Sequence, residues 1–315
     1  MMIHVLLNAL VPIFAIMALG YFAGWVRDVD NHHVSELNAL VIDFALPASL
    51  FVATASTPRA VLLAQWPLLA VFVVSMLALY ALSYWMQRRL FGLGTSEASV
   101  QTLNISLPNY AAAGLPLIAA VFGPNKTVYV ALSIATGSIV LSPLTLAILE
   151  VHKAPAGGAR NFRAILPAIG RSLCKPIVLG PLLGIVFSLL GIPLPEAASR
   201  SFQLIGQTAG GVALFLTGLI LSAQRIELDS NVLSGTFLKN VAQPLLVVGL
   251  LLALPLDRDT ARAALLLCAL PSGFFGVLFG LRYGLESGVA GSTLIVSSLA
   301  SVVTLPVALV LTAGW

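Results

Sequence analysis

Long apolar runs follow one another along this chain, separated by short polar gaps. Ten can be drawn, at residues 3–25, 34–56, 62–86, 98–122, 127–150, 173–191, 198–222, 233–254, 261–281 and 288–312. A helix needs about 20 apolar residues to cross a bilayer. The runs are long and continuous, which argues against a β-barrel, whose strands alternate over roughly ten residues. The first run carries only His4 near its start and is too long for the apolar core of a signal peptide, so it is expected to be the first span.

The fourth run has an unusual centre. In "LNISLPNYAAAGLPLIAAVFG" at 103–123, Asn104, Ser106, Pro108, Asn109 and Tyr110 crowd together with apolar residues on both sides. The ninth run has a similar interruption at Pro271, followed by Ser272 and Gly273. Proline has no N–H and clashes with the carbonyl four residues earlier, so both spans are expected to break there. Backbone groups freed by a break cannot face lipid; they must line protein or a watery cavity. Two broken helices meeting at mid-membrane would present two positive N-termini, suited to a carboxylate, while the freed carbonyls suit a cation. A packed proline kink is the plainer alternative.

The two breaks belong to a larger repeat. "PIFAIMALG" at 12–20 resembles "PIVLGPLLG" at 176–184, and "LF" recurs at 50–51 and 214–215. "PLLAV" at 67–71 matches "PLLVV" at 244–248, "LPN" at 107–109 matches "LPS" at 270–272, and "SPLTLAIL" at 142–149 resembles "LPVALVLT" at 305–312. All but the 67/244 pair keep one spacing to within a residue, and the charged 224–231 segment can supply the insertion. Five spans per copy is an odd number, so the second copy must enter the membrane inverted, an arrangement suited to alternating access. The expected units are a first five-helix repeat at 1–150, a cytoplasmic linker at 151–172 and a second, inverted repeat at 173–315.

Composition fixes the solvent. Hydrophobic residues make up 59% of 315 and charged residues 9%, where soluble domains carry about 25% charged. The mean hydropathy is +1.01. With so few charges, the 16 Lys and Arg residues speak to orientation rather than to nucleic acid. Starting outside and threading ten spans puts Arg27, Arg88, Arg89, Lys153, Arg160, Arg163, Arg171, Lys175, Arg225, Lys239 and Arg282 in the cytoplasm. Arg59, Lys126, Arg200, Arg258 and Arg262 stay outside. The excess inside favours both termini outside, in a cell inner (plasma) membrane.

Asp43 lies within the second span, four residues before Pro47, and Gln207 is its repeat mate in the seventh. A carboxylate at that depth costs about 2.5–3.5 kcal/mol on insertion scales, so it marks a pathway or a structural hydrogen bond. Asp43 is accordingly a candidate for proton coupling, and Gln207 for a substrate-lined cavity with Thr208 and Gly211. Lys239, before Gln243 and Pro244, is a candidate for attracting an anion; the alternative is that it snorkels to the cytoplasmic end of its span. Lys175 is a weaker candidate of the same kind. His32 and His33 suit a solvated turn better than a metal site. Cys174 and Cys268 are expected inside spans as small apolar fillers, without metal or disulfide spacing. "GGVALFLTG" at 210–218 supplies small residues for close helix packing.

No HExxH, nucleophile triad or Walker-type loop is present, so neither an enzyme nor an ATP-driven pump is expected. The expected function is secondary transport of a small organic anion, with Asn104, Ser106, Pro108, Asn109, Pro271, Ser272, Gly273 and Gln207 at the substrate site. A sodium-coupled symporter of sterol-like anions and an ion channel are the rivals. No cofactor is called for; sodium or proton coupling stays open. The expected partners are the anion and the bilayer, with a homodimer left open and no nucleic acid.

"LVIDFALPASLFVA" at 40–53, after "NALVPIFAIMALGYFAG" at 8–24, resembles the auxin efflux carrier family, whose bacterial branch includes malonate and malate transporter-like members. The resemblance extends over essentially the whole chain, through the paired broken spans to the closing "VVTLPVAL". It implies a ten-helix fold shared with bile-acid/sodium symporters and sodium/proton antiporters. Spans 1, 2, 6 and 7 would form a scaffold, and spans 3–5 and 8–10 a mobile transport domain with broken helices 4 and 9 crossing at its centre. Substrate would move with that domain in an elevator-like shift. Plant members place Asn beside Pro at the crossover; here Pro108–Asn109 keeps the amide and Pro271–Ser272 does not.

Overall fold

A computed structural model describes residues 2–31, 34–153, 170, 174–223, 226–254, 256–285 and 288–314. The His32–His33 pair, most of the 151–172 linker and Arg225 lie outside the described residues. Within them the fold is all-helical, with one isolated β-bridge between Pro108 and Ser272.

The helices, in order, are α1 (Met2–Trp25), α2 (Ser35–Ala39), α3 (Leu46–Ala55), α4 (Arg59–Leu63), α5 (Trp66–Arg89), α6 (Thr95–Ser106), α7 (Leu115–Phe122), α8 (Val128–Lys153) and α9 (Pro176–Leu190). They continue as α10 (Glu196–Gly206), α11 (Thr208–Ala223), α12 (Ser230–Phe237), α13 (Gln243–Ala253), α14 (Arg258–Cys268), α15 (Phe275–Arg282) and α16 (Gly288–Thr312). Among the described residues, six helical stretches are long and apolar enough to cross a membrane: Ser35–Ala55, Arg59–Arg89, Pro124–Leu149, Glu196–Ala223, Ser230–Ala253 and Gly288–Thr312. The expected fourth and ninth spans are each two shorter helices with a non-helical joint, α6 with α7 and α14 with α15.

Proline shapes the helices in a second way. The π-helical turns Leu40–Ala45, Tyr110–Gly114 and Leu238–Ala242 each run directly into a helix whose second residue is proline: Pro47, Pro116 and Pro244. Proline cannot donate to the carbonyl one turn back and pushes against it. Widening that turn by one residue relieves the clash without breaking the helix, and it re-aims the side chains there.

Two sets of helices pack around these features. α1 lies along α11 and α3 along α9. The first contact is backbone to backbone: a Cβ at Gly218 would run into the Met17 carbonyl, and one at Gly20 into that of Phe215. The second is tied by hydrogen bonds from Thr54 Oγ1 to the Pro181 carbonyl (3.2 Å) and from Ser188 Oγ to the Thr57 carbonyl (2.6 Å). In the other set α5 packs on α6, α8 and α14, and α6 on α8, α15 and α16. α6 is buried along its length from Ala98 to Ser106, polar residues included. A helix so enclosed by protein can carry Gln101, Thr102, Asn104 and Ser106 at membrane depth, because its neighbours and not lipid must satisfy them.

One expectation is corrected. Cys174 lies outside a helix, in the turn before α9, and is exposed. The basic Lys175 and the helix-starting Pro176 end the turn there, so the sixth helix begins later than the apolar run suggests. Cys268 is buried, as the last residue of α14.

Candidate functional site

The joints of the two broken helices cross. α6 ends at Ser106; Leu107 is extended, the conformation that a following proline favours. Pro108 then lies antiparallel to Ser272. The Asn109 N–H donates to the Pro271 carbonyl and the Gly273 N–H to the Leu107 carbonyl, both at 2.9 Å. This two-bond ladder satisfies backbone groups that a break leaves without helical partners. Closeness requires glycine at 273: a Cβ there would sit 2.6 Å from the Leu107 carbonyl oxygen. Asn109 also caps the next turn, its Oδ1 accepting from the Ala112 N–H (3.3 Å).

Polar side chains bind the crossing to its neighbours. The Ser272 N–H donates to Ser297 Oγ (2.9 Å), and the Ser272 hydroxyl donates to the Asn104 carbonyl. Ser297 Oγ donates in turn to Asn240 Oδ1 (2.6 Å), whose amide donates back to the Ser297 carbonyl (3.0 Å). Asn104 Nδ2 donates to the Ala290 carbonyl (2.7 Å), and Gln101 Nε2 to Thr293 Oγ1 (2.7 Å). Among the described residues, four buried atoms here have no hydrogen-bond partner: Gln101 Oε1, Asn104 Oδ1, Ser106 Oγ and Asn109 Nδ2. Leaving such an atom unsatisfied costs about 1–3 kcal/mol, which points to a ligand or water bound against them.

Asn104, Ser106, Pro108, Asn109, Pro271, Ser272 and Gly273 are thus brought together as the sequence suggested. Lys239 joins them and does not snorkel. It is fully buried because the π-turn Leu238–Ala242 aims it inward. Gln207 lies apart from the crossing. It is exposed and lines a cavity of about 1010 Å³, with Gln203, Gly211, Pro116, Lys126 and Asp257. Its wall is drawn from α1, α3, α4, α7, α8, α10, α11 and α14 and from the turns beside them. The wall includes Leu115 and Pro116 of α7 and none of residues 104–110 or 271–273. Thr208 is exposed but outside that wall.

Asp43 is exposed on the first π-turn, outside the cavity wall. The hydrogen bond considered for it finds no partner among the described residues. At the cavity mouth, hydrogen bonds from Thr260 outweigh burial and hold the Asp257 carboxyl below its usual range. Ser297, Asn240, Gln243 and Gln101 were not singled out in the sequence as site residues; only their placement beside prolines or within buried polar helices could have flagged them.

Buried crossed breaks within a largely apolar helical fold describe a membrane transport protein. Residues 5–309 match the family described as "Membrane transport protein", and the chain belongs to that family, the auxin efflux carrier family. It is 29% identical over 306 residues to "Uncharacterized transporter YfdV" of Escherichia coli (strain K12), covering 97% of each chain. It is 27% identical over 304 residues to "Putative malonate transporter" of Rhizobium meliloti (strain 1021), covering 93% of this chain and 91% of the relative. Auxin efflux carrier component 5 of Arabidopsis thaliana is 24% identical over 337 aligned positions, covering 95% and 94%. These are membrane transporters, not enzymes.

Proposed function

We propose that the chain is a secondary carrier of a small organic anion, a dicarboxylate such as malonate or malate, held at the crossing and moved by alternating access. The observation that carries this reading is the set of unpartnered atoms on Asn104, Ser106 and Asn109 beside the crossed breaks. The Asn109 amide and the helix starts just beyond the joint offer N–H donors to a carboxylate. The similarity to a named malonate transporter supports a dicarboxylate.

In this reading ten spans form two inverted repeats, 1–150 and 173–315, in an inner membrane with both termini outside. The tight α1–α11 and α3–α9 pairs are the scaffold; the helices around the crossing are the body that shifts past it, elevator-like. The loops bordering the cavity fall on the side assigned to the outside, which makes this conformation outward-facing. Gln207 lines the outer cavity, and its mate Asp43 lines the inner one after the shift and couples protons.

Proteoliposomes containing the purified protein test this directly. Saturable exchange of labelled malonate, inhibited by malate and reduced about tenfold or more in Asn109→Ala, is expected. Exchange of a bile acid with no malonate flux would replace this substrate class.

A further inference from the structure

Lys239 is a charge with no obvious balance. Among the described residues no Asp, Glu or Arg is buried, yet Lys239 is wholly so. A buried ammonium without compensation is strongly unfavourable. Its compensation comes from oxygen dipoles. Lys239 Nζ donates to the Cys268 carbonyl at 2.8 Å and to Gln243 Oε1 at 2.6 Å. Cys268 is the last residue of α14, so its carbonyl belongs to the helix end that has no partner of its own. The amide of the same Gln243 reaches the Ser106 carbonyl at 3.5 Å, and Ser106 is the last residue of α6.

One residue pair, a single turn apart, therefore ties together the carbonyl ends of both half-helices that lead into the crossing. Each such end carries about half a negative charge. At the α14 end the Cys268 carbonyl and the Gln243 side-chain oxygen both face Nζ, oxygen ligands of the kind hard metal cations select; at the α6 end the Ser106 carbonyl is met by the Gln243 amide. The cation at the α14 end is one on a tether. Pro244 follows the π-turn, and from that turn Lys239 and Asn240 both bond into the crossing.

We propose that the Lys239 ammonium stands where a free sodium ion would otherwise balance the carbonyl end of α14 at the crossing, so that this carrier needs no sodium. The inference rests on reading the crossing as the transport site, and it assigns Lys239 a positioning role: it holds the two half-helices in register and does not touch the substrate.

Two assays on the purified full-length protein test it, one of them without substrate. In detergent, melting temperatures are compared in sodium, lithium and choline chloride. In proteoliposomes, malonate counterflow is compared with sodium or choline on both sides. The wild-type protein is expected to melt and exchange alike in sodium and choline. Lys239→Ala is expected to melt lower and to lose about tenfold or more of its counterflow. Sodium or propylammonium, which replaces the deleted atoms, should restore its melting temperature, and choline should not. A wild-type requirement for sodium in either assay overturns the proposal. So does a Lys239→Ala protein that matches wild type or that responds to no small cation. Should that variant fail to fold, Lys239→Gln takes its place with the same expectation. Absence of malonate counterflow in wild type, with the melting results as expected, rejects the substrate and leaves the role of Lys239 standing.

Discussion

The two broken helices share a proline and a crossing, but they are not chemically equivalent. Around the second break, polar groups are tied down: Ser272 uses its N–H and its hydroxyl, and the Cys268 carbonyl is held by Lys239. Around the first, Asn104, Ser106 and Asn109 each keep one buried polar atom without a partner. On the proposed reading, the second break serves as a strut and the first as a receptor. The repeat mate of Asn109 is Ser272, whose short side chain reaches the neighbouring backbone, whereas the longer amide of Asn109 caps its own turn and leaves a donor over.

The largest effect on this comparison should come from separating the two joints. In Gly273→Val the Cβ would meet the Leu107 carbonyl oxygen at 2.6 Å, and backbone on both sides gives it nowhere to go. We expect little folded protein, measured as recovery of a monodisperse peak in detergent; near-wild-type recovery would show that the crossing is looser than drawn. Next, Asn109→Ala and Ser272→Ala should split. Asn109→Ala should lower malonate exchange about tenfold or more while costing only about 1 kcal/mol through the lost cap. Ser272→Ala should cost about 1–3 kcal/mol of stability, because it strips a buried carbonyl of its donor, with a smaller loss of exchange. The reverse pattern would exchange the roles of strut and receptor. The smallest effect is expected at the cavity, away from both joints. Gln207→Ala should raise the KM for malonate by about two- to threefold with unchanged melting. An effect on exchange as large as that of Asn109→Ala would move the substrate site out of the crossing. Asp43→Asn should change the pH dependence of uptake and little else; an unaltered profile with intact uptake removes Asp43 from coupling.

Much of this was legible in the sequence because proline and hydrophobicity act locally. Pro12, Pro143, Pro181 and Pro306 lie inside continuous helices, so proline alone does not mark a break; Pro108 and Pro271 stand out because proline weakens the helix where polar neighbours cannot lie against lipid. The same local rule explains the π-turns before Pro47 and Pro244. It failed at Cys174, where an apolar run continues past the point at which Pro176 starts the helix.

What the sequence by itself determined is therefore the solvent, the helical character and the two places where helices must break, since each follows from side chains acting on their own few neighbours. The tertiary structure alone decided which of the freed groups found partners. Lys239 could have reached for water at a span end; it is buried because the end of a helix 29 residues away in sequence lies over it. Asn104 gives its amide to the Ala290 carbonyl on α16, while its oxygen lies against Gly276 of α15, which has no side chain to donate. Such pairings depend on distances between elements remote in the chain, and no local pattern encodes those distances.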